Sequence, residues 1–306
     1  MNKASTNSVS LKASPSGRLE GHLFHQIIFG PVNSRRLGIS LGINLLPTDA
    51  KICSYNCIYC ECGFNTTMRE APIPSREQVA VLLETKLKEM NAEQKPLDVI
   101  TFAGNGEPTL HIDFDKIIDD TIALRNEYYP EAKISVLSNS TRIDRPKIFN
   151  ALLKVDNNIL KFDSAIDRTF QLINQPVGKD KHLTVAQLVE HFKKFDGKLI
   201  IQTMFIRGEF SGEKFDNTTD DEISAWLDAL AQIKPKQVMI YTIDRATPIE
   251  SIERISTNEL SAIAEKVREI SPSKPPHRRG FQSSEDFSIE SSAISLPLWG
   301  GLEGLI

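Results

Sequence analysis

"CSYNCIYCEC", residues 53–62, holds all four cysteines of a 306-residue chain. Cys53, Cys57 and Cys60 form C-x3-C-x2-C, and Cys62 follows. Thiols gathered in one loop and used nowhere else read as metal ligands or catalytic groups. Soft thiolates suit iron–sulfur and zinc, not magnesium or calcium. Three thiolates on one loop can hold three irons of a cubane [4Fe–4S] cluster. The fourth iron is then open to an exogenous ligand, as a catalytic zinc keeps one position open. A structural zinc site is the alternative, although zinc ribbons usually divide two Cys-x2-Cys knuckles across many residues. As a fourth ligand Cys62 would close the open position, so it is read as a partly exposed bystander.

Outward from this loop, strand and helix signals alternate. Short, nearly continuous apolar runs occur at 37–46, 98–104, 133–139, 159–165, 198–206 and 237–244. Such runs are expected of parallel strands covered on both faces. Helical patterns lie between them. Ser75 with Gln78, Thr219 with Glu222 and Ser256 with Glu259 read as capping boxes, and Asp113 as an N-cap. A shorter helix is expected from Asp144 through Leu153, and another around Val185 to Phe192. Right-handed crossovers turn six strand–helix units into a doubly wound sheet or a barrel. Six are too few to close eight strands, so the reading is α/β with a partial (β/α)6 TIM-like barrel. Chemistry then belongs at the C-terminal strand ends, and the cysteine loop directly follows the first strand.

The domain reading is a disordered segment at 1–20, a core at 21–270 and a poorly ordered tail at 271–306. After Ile270 both periodicities fade, so ending the chain near Ser273 should leave the core intact. "LPLWGGLEGLI" (296–306) is apolar enough to dock, but its glycines argue against a helix. The opening residues lack the apolar stretch of a secretory signal, and no run approaches the roughly 20 residues of a membrane span. The expectation is a cytoplasmic protein with no membrane partner. Net charge is −4 with a pI near 5.9, so charge gives nucleic acid no support, though local patches are left open.

C-x3-C-x2-C with Tyr59 before its last cysteine resembles the signature of the radical S-adenosylmethionine (SAM) superfamily. "GNGEPT" (104–109) ends the second strand run, where that superfamily carries a Gly-Gly-Glu motif gripping the methionine ammonium. Gly106 and Glu107 match, Asn105 stands where the first glycine would be, and Gly104 precedes it. "LSNST" (137–141), with Ser138 and Asn139, resembles the segment that contacts SAM's carboxylate or ribose. Gln202 and Thr203 on the fifth strand, and Tyr241 on the sixth, fall where ribose and adenine contacts often lie; Ile243 reads as packing. The similarity covers about 27–270. "FGPVNSRRLGISLGINLLP" (29–47) further resembles iron–sulfur oxidoreductases related to the enzymes that build the wybutosine base of transfer RNA.

The resemblance implies a [4Fe–4S] cluster on Cys53, Cys57 and Cys60, with SAM on the open iron. It also implies a low-potential electron donor such as flavodoxin or ferredoxin. Reductive cleavage would give methionine and a 5′-deoxyadenosyl radical that abstracts hydrogen from an unknown substrate. His111, Asp163, Arg207 and Arg245 lie at or beyond strand ends and are the substrate candidates. Arg35 and Arg36 suit phosphate, or a structural role. Two other readings stand beside this one: a non-catalytic iron–sulfur or zinc protein, and an enzyme that modifies a transfer-RNA base. Wybutosine-type enzymes carry further cysteines for a second cluster, and this chain has none outside 53–62.

Overall fold

The computed structural model describes residues 22–34, 37–270 and 293–297. The expectations for residues 1–20, for Arg35 and Arg36, and for most of the tail lie outside these described residues. In chain order the elements are β1 (Ile28–Ser34), β2 (Gly38–Ile43), α1 (Arg76–Ala92), β3 (Val99–Phe102), α2 (Phe114–Tyr128) and β4 (Lys133–Ser138). Then come α3 (Pro146–Leu152), β5 (Asn157–Lys161), α4 (Asp167–Asn174), α5 (Val185–Lys193) and β6 (Ile200–Met204). They are followed by β7 (Ile206–Phe210), β8 (Glu213–Asp216), α6 (Asp220–Ile233), β9 (Gln237–Tyr241), β10 (Ile252–Arg254), α7 (Thr257–Ile270) and β11 (Ala293–Pro297).

The main sheet runs β1-β2-β3-β4-β5-β6-β9-β11. From β2 to β9 every neighbouring pair is parallel. These are the six strands expected from the apolar runs; five lie within their runs, and β5 begins two residues before its run. Their side chains are buried because helices pack on one face and the barrel interior lies on the other. An apolar cavity of about 160 Å³ remains inside, lined by residues such as Gly42, Leu137, Ile159 and Met239. Ser75 with Gln78, and Ser256 with Glu259, make both halves of their capping boxes.

Several local expectations change. Asp113 precedes α2 without a side-chain cap, because its carboxylate accepts from Lys116 Nζ at 2.8 Å. Thr219 accepts from Glu222 N, but the Glu222 carboxylate turns away to accept from Ser164 Oγ at 2.7 Å. Burial raises that carboxyl above the ordinary glutamate value. The sequence reading also lacked α4, whose eight residues span barely two turns. It lacked the small antiparallel sheet β10-β7-β8 as well, which extends from the end of β6.

Both edges of the parallel sheet carry an antiparallel strand: β1 on β2, and β11 on β9. β11 lies within the segment read as an unpatterned tail. "AISLP" is too short to show periodicity by itself, yet it fits the open edge of β9 in register from Ala293↔Tyr241 to Pro297↔Gln237. Leu296 is buried against the core. An uncovered β9 edge would offer unpaired backbone groups to other chains. Cutting near residue 273 would therefore remove a sheet strand. Leu296→Ala should lower stability by about 2–5 kcal/mol in urea titration, and a chain ending at Ser292 should aggregate more readily. An unchanged denaturation midpoint in both would show that β11 adds nothing to the fold.

Candidate active site

The cysteine loop leaves β2 and is fastened to the end of β3 by a two-bond backbone bridge. Ile52 N donates to Asn105 O at 2.9 Å, and Glu107 N donates to Ile52 O at 3.1 Å. This requires Gly106, whose φ is +134°: a Cβ there would lie 1.8 Å from Ile52 O. Asn65 closes the loop from its far side, accepting from Cys53 N at 2.8 Å and donating to the carbonyls of Cys53 and Tyr55. The Tyr55 ring packs edge-on against Phe170 of α4, with centroids 5.8 Å apart.

The result is a cavity of about 280 Å³ at the C-terminal strand ends. Cys53, Cys57, Cys60, Tyr59, Gly104, Gly106, Glu107, Ser138, Asn139, Gln202 and Tyr241 all line it. Eleven expected site residues thus meet in one place, although 188 positions separate Cys53 from Tyr241 in the chain. Lys51, Lys161, Met204 and Cys62 line the same space. Sequence reasoning missed both lysines. Lys161 was visible as a lone cation inside the apolar run "ILKFDSA", and Lys51 as a cation two residues before the first cysteine.

Glu107 is 1% exposed and collects protein donors. Its Oε1 accepts from Thr109 N, Thr109 Oγ1 and Ser138 Oγ; its Oε2 accepts from Asn139 N at 2.6 Å. Burial raises its pKa, and the hydrogen bonds from Asn139 and Thr109 offset part of that shift. The Asn139 amide donates to Cys53 Sγ at 3.3 Å and to Ser54 Oγ at 2.8 Å, while its Oδ1 accepts from Thr141. Asn174 of α4 donates to Cys57 Sγ at 3.6 Å. Two thiols are therefore held by amide donors, as outer-shell groups orient metal ligands.

Burial pushes the Cys53 thiol up to about 12 and also raises Cys57, with Lys51 opposing both shifts. The Cys62 thiol hydrogen-bonds to Cys60, which lowers Cys60 and raises Cys62. Cys62 also donates to Gly104 O at 3.5 Å. Thiols this deep in the protein are stable as thiolates only with compensating positive charge. A metal centre held by these thiols would supply that charge, with Lys51 beside it. The donor set fits an iron–sulfur cluster: three soft ligands on one cavity, amide donors behind them and a nearby cation. Among the described residues, no three His, Cys, Asp or Glu side chains converge on a single ion-sized point.

Several candidates fall outside the cavity. Thr203 follows Gln202 on β6, and alternation turns it to the other face, where it donates to Phe162 O and accepts from Trp226 Nε1. The Asn105 side chain is fully buried and tied to Phe24 N, Phe24 O and Pro47 O. His111 holds Pro74 O through Nε2 and accepts from Asp113 N through Nδ1, so it is a spacer between helices. Asp163 is 1% exposed, accepts from Tyr59 Oη, Asn174 Nδ2 and Met204 N, and lies 3.5 Å from Lys161 Nζ. It is an internal hub beneath the cavity, with no reach to a substrate at the mouth. Arg207 of β7 pairs with Asp216 of β8 and Glu259 of α7, and lines a separate cleft.

Arg245 is the remaining substrate candidate. It pairs with Glu61 at 2.7 Å across the mouth of a second cavity of about 470 Å³. That cavity shares Tyr59, Glu61, Met204 and Tyr241 with the first. Its far wall is the stacked pair Phe24 and Phe29, with centroids 4.1 Å apart. Lys161 stands at the junction. Burial alone would lower its pKa, but the charge of Asp163, the Tyr241 hydroxyl and Cys57 outweigh that and raise it.

A fold of six parallel strands with three thiols and a buried carboxylate at the strand ends defines the class. The chain belongs to the radical SAM superfamily, whose family model matches residues 49–221. Within it, the chain groups with the UPF0026 proteins. It is 32% identical over 239 residues to the UPF0026 protein of Helicobacter pylori strain J99, covering 76% of this chain and 71% of that one. The Synechocystis relative slr1464 is 30% identical, with 73% and 77% covered. Among solved structures the fold is similar to TYW1 with a lysine-pyruvate adduct bound, at a TM-score of 0.54 and 15% identity, covering 85% of this chain and 80% of that one. It is also similar to a radical SAM methyltransferase from Sphaerobacter thermophilus, at a TM-score of 0.55 and 11% identity, covering 86% and 74%. The cofactors of this enzyme family are a [4Fe–4S] cluster and SAM. No helix among the described residues is long and apolar enough to cross a membrane.

The backbone bridge yields a direct test. Gly106→Ala places a methyl group against Ile52 O and strains the backbone. Reconstituted Gly106→Ala should hold little iron although its far-ultraviolet dichroism is normal. Full iron content would mean that the bridge does not position the loop.

Proposed function

We propose that this chain uses a [4Fe–4S] cluster on Cys53, Cys57 and Cys60 to cleave SAM reductively and abstract hydrogen from a substrate in the adjoining cavity. One observation carries the reading: the three thiols of the motif and the Glu107 carboxylate line the same cavity. A scaffold or electron carrier has no need of a second, carboxylate-bearing wall facing its cluster. When bound, the reduced cluster and SAM supply the electron transfer and the 5′-deoxyadenosyl radical.

The protein's own work is to bind, orient and shield. Glu107 Oε2 has one protein donor against three on Oε1, so it keeps capacity for the methionine ammonium. The ammonium also supplies the positive charge that lowers a carboxyl pKa raised by burial. Gly104 and Gly106 allow close backbone approach. Ser138 and Asn139 fix the carboxylate and the cysteine loop together, so SAM and cluster are aligned by one hydrogen-bond network. Gln202 lines both this cavity and the interior apolar one, which suits a contact to the ribose or adenine. Tyr59 and Tyr241 face Lys161 from two sides, at 4.9 and 5.3 Å from the ring centres. That array forms the partition between SAM and substrate.

The cavity walled by Phe24, Phe29 and the Glu61–Arg245 pair is the substrate site in this reading, and Arg245 is the group that meets it. An external low-potential donor such as flavodoxin or ferredoxin would reduce the cluster. Four free thiols suit the reducing cytoplasm. The acidic net charge gives no support to a transfer-RNA substrate.

Reconstituted protein should hold close to four irons per chain by this proposal, and Cys53→Ala, Cys57→Ala or Cys60→Ala should each abolish the cluster spectrum. Stoichiometric zinc in place of iron would overturn the reading. Glu107→Gln should keep the cluster but weaken SAM binding by about 10- to 150-fold, the worth of one charge-assisted contact. Electron paramagnetic resonance of the reduced cluster during SAM titration measures this. Unchanged affinity would confine Glu107 to a structural role.

A further inference from the structure

Lys51 is 2% exposed and lies inside the protein beside the cysteine loop. A buried ammonium is unfavourable unless an anion compensates it. Its Nζ donates to Gly63 O at 2.7 Å, a neutral partner that satisfies one proton but not the charge. The groups whose charge acts favourably on it are Cys60, Cys53 and Cys57. No salt bridge involving Lys51 is found among the described residues. The lysine also lines the cavity alongside these cysteines. Its charge has a counterpart only when the loop carries negative charge.

We infer that Lys51 is the resident counter-charge of the cluster and sets how readily the cluster accepts its electron. The inference rests on the cluster assignment above. Three thiolates contribute three negative charges, and a cubane core in its oxidised 2+ form leaves about one net negative charge, so reduction adds a second. A fixed positive charge that is itself buried stabilises the doubly negative form more than the singly negative one, and solvent screens a buried charge less than an exposed one. Lys51 therefore raises the reduction potential. Its tie to Gly63 holds the ammonium at this position, on the turn where Gly63 N donates to Cys60 O at 2.8 Å.

The experiment compares reconstituted wild type with Lys51→Met, Lys51→Gln and Lys51→Arg by redox titration without SAM, following the reduced-cluster resonance. Gln keeps a donor without charge, and Arg keeps the charge. At a fixed solution potential, both neutral variants should show a reduced-to-oxidised ratio lower by about tenfold or more, a shift of about 59 mV or more for one electron. Lys51→Arg should stay near wild type, and raising salt should not abolish the difference. Wild-type potential in Lys51→Gln would overturn the inference, since the loop tie alone would then explain the lysine. Loss of iron from both neutral variants would also overturn it, by assigning Lys51 to loop closure. A wild-type chain without a [4Fe–4S] spectrum would fail the cluster assignment itself, a separate and recognisable result.

Discussion

The exchange of two backbone hydrogen bonds between Ile52 and the Asn105–Glu107 segment is the contact on which the site depends. A ten-residue loop of cysteines has no fold of its own, and its ordering costs conformational entropy at every residue. The bridge is an isolated parallel contact beyond the ends of β2 and β3, and it fastens the loop to the segment that follows β3. Gly106 allows the approach by lacking a side chain. The same two bonds place Glu107 at the edge of the cavity that the cysteines line. Ligand loop and carboxylate are therefore set by one contact, and neither can shift without the other.

Charge balance is the second constraint. The cavity brings four thiols, the carboxylates of Glu61 and Glu107, and two lysines together at the strand ends, and Glu61 has its partner in Arg245. Lys161 has its anion in the protein, since Asp163 lies 3.5 Å away and is itself held by Tyr59, Asn174 and Met204 N. Glu107 has neutral donors only, and Lys51 has a neutral acceptor and thiols. The protein is thus electrostatically complete beneath the cavity and incomplete around it. A buried ion without a partner is costly. A site with one unmatched anion and one unmatched cation is suited to ligands carrying the opposite charges, an ammonium at Glu107 and an anionic cluster at Lys51.

Legibility in the sequence followed how local each signal is. All six parallel strands were visible, because a strand buried on both faces must be apolar along its length. The motif cysteines and Glu107 were visible because the chemistry proposed for them fixes residue type and spacing. What stayed hidden depends on orientation. Gln202 and Thr203 are neighbours in an equally apolar run, yet alternation sends one to the cavity and the other to Trp226. His111 and Asp163 lie in the segments that follow β3 and β5, as site residues do, and only their contacts reveal them as a spacer and a hub. α4 is short, and β11 owes its existence to the open edge of β9. Neither could be read from local pattern alone.

Asn105 gives the departure from the Gly-Gly-Glu pattern a physical role. A glycine there would leave Phe24 N and O without their present partners, whereas Asn105 donates to and accepts from Phe24 and also holds Pro47 O. Phe24 stacks on Phe29, and together they form the wall of the larger cavity. The residue between the two glycines therefore ties the segment preceding β1 to the backbone that faces SAM in the proposed reading. A displacement of the Asn105 backbone would be felt both at Ile52, through the loop bridge, and at Phe24, through the side chain. This couples the SAM-facing cavity to the neighbouring one mechanically. It also explains why a longer residue is accommodated at that point: its side chain lies behind the site, and only its backbone faces the loop.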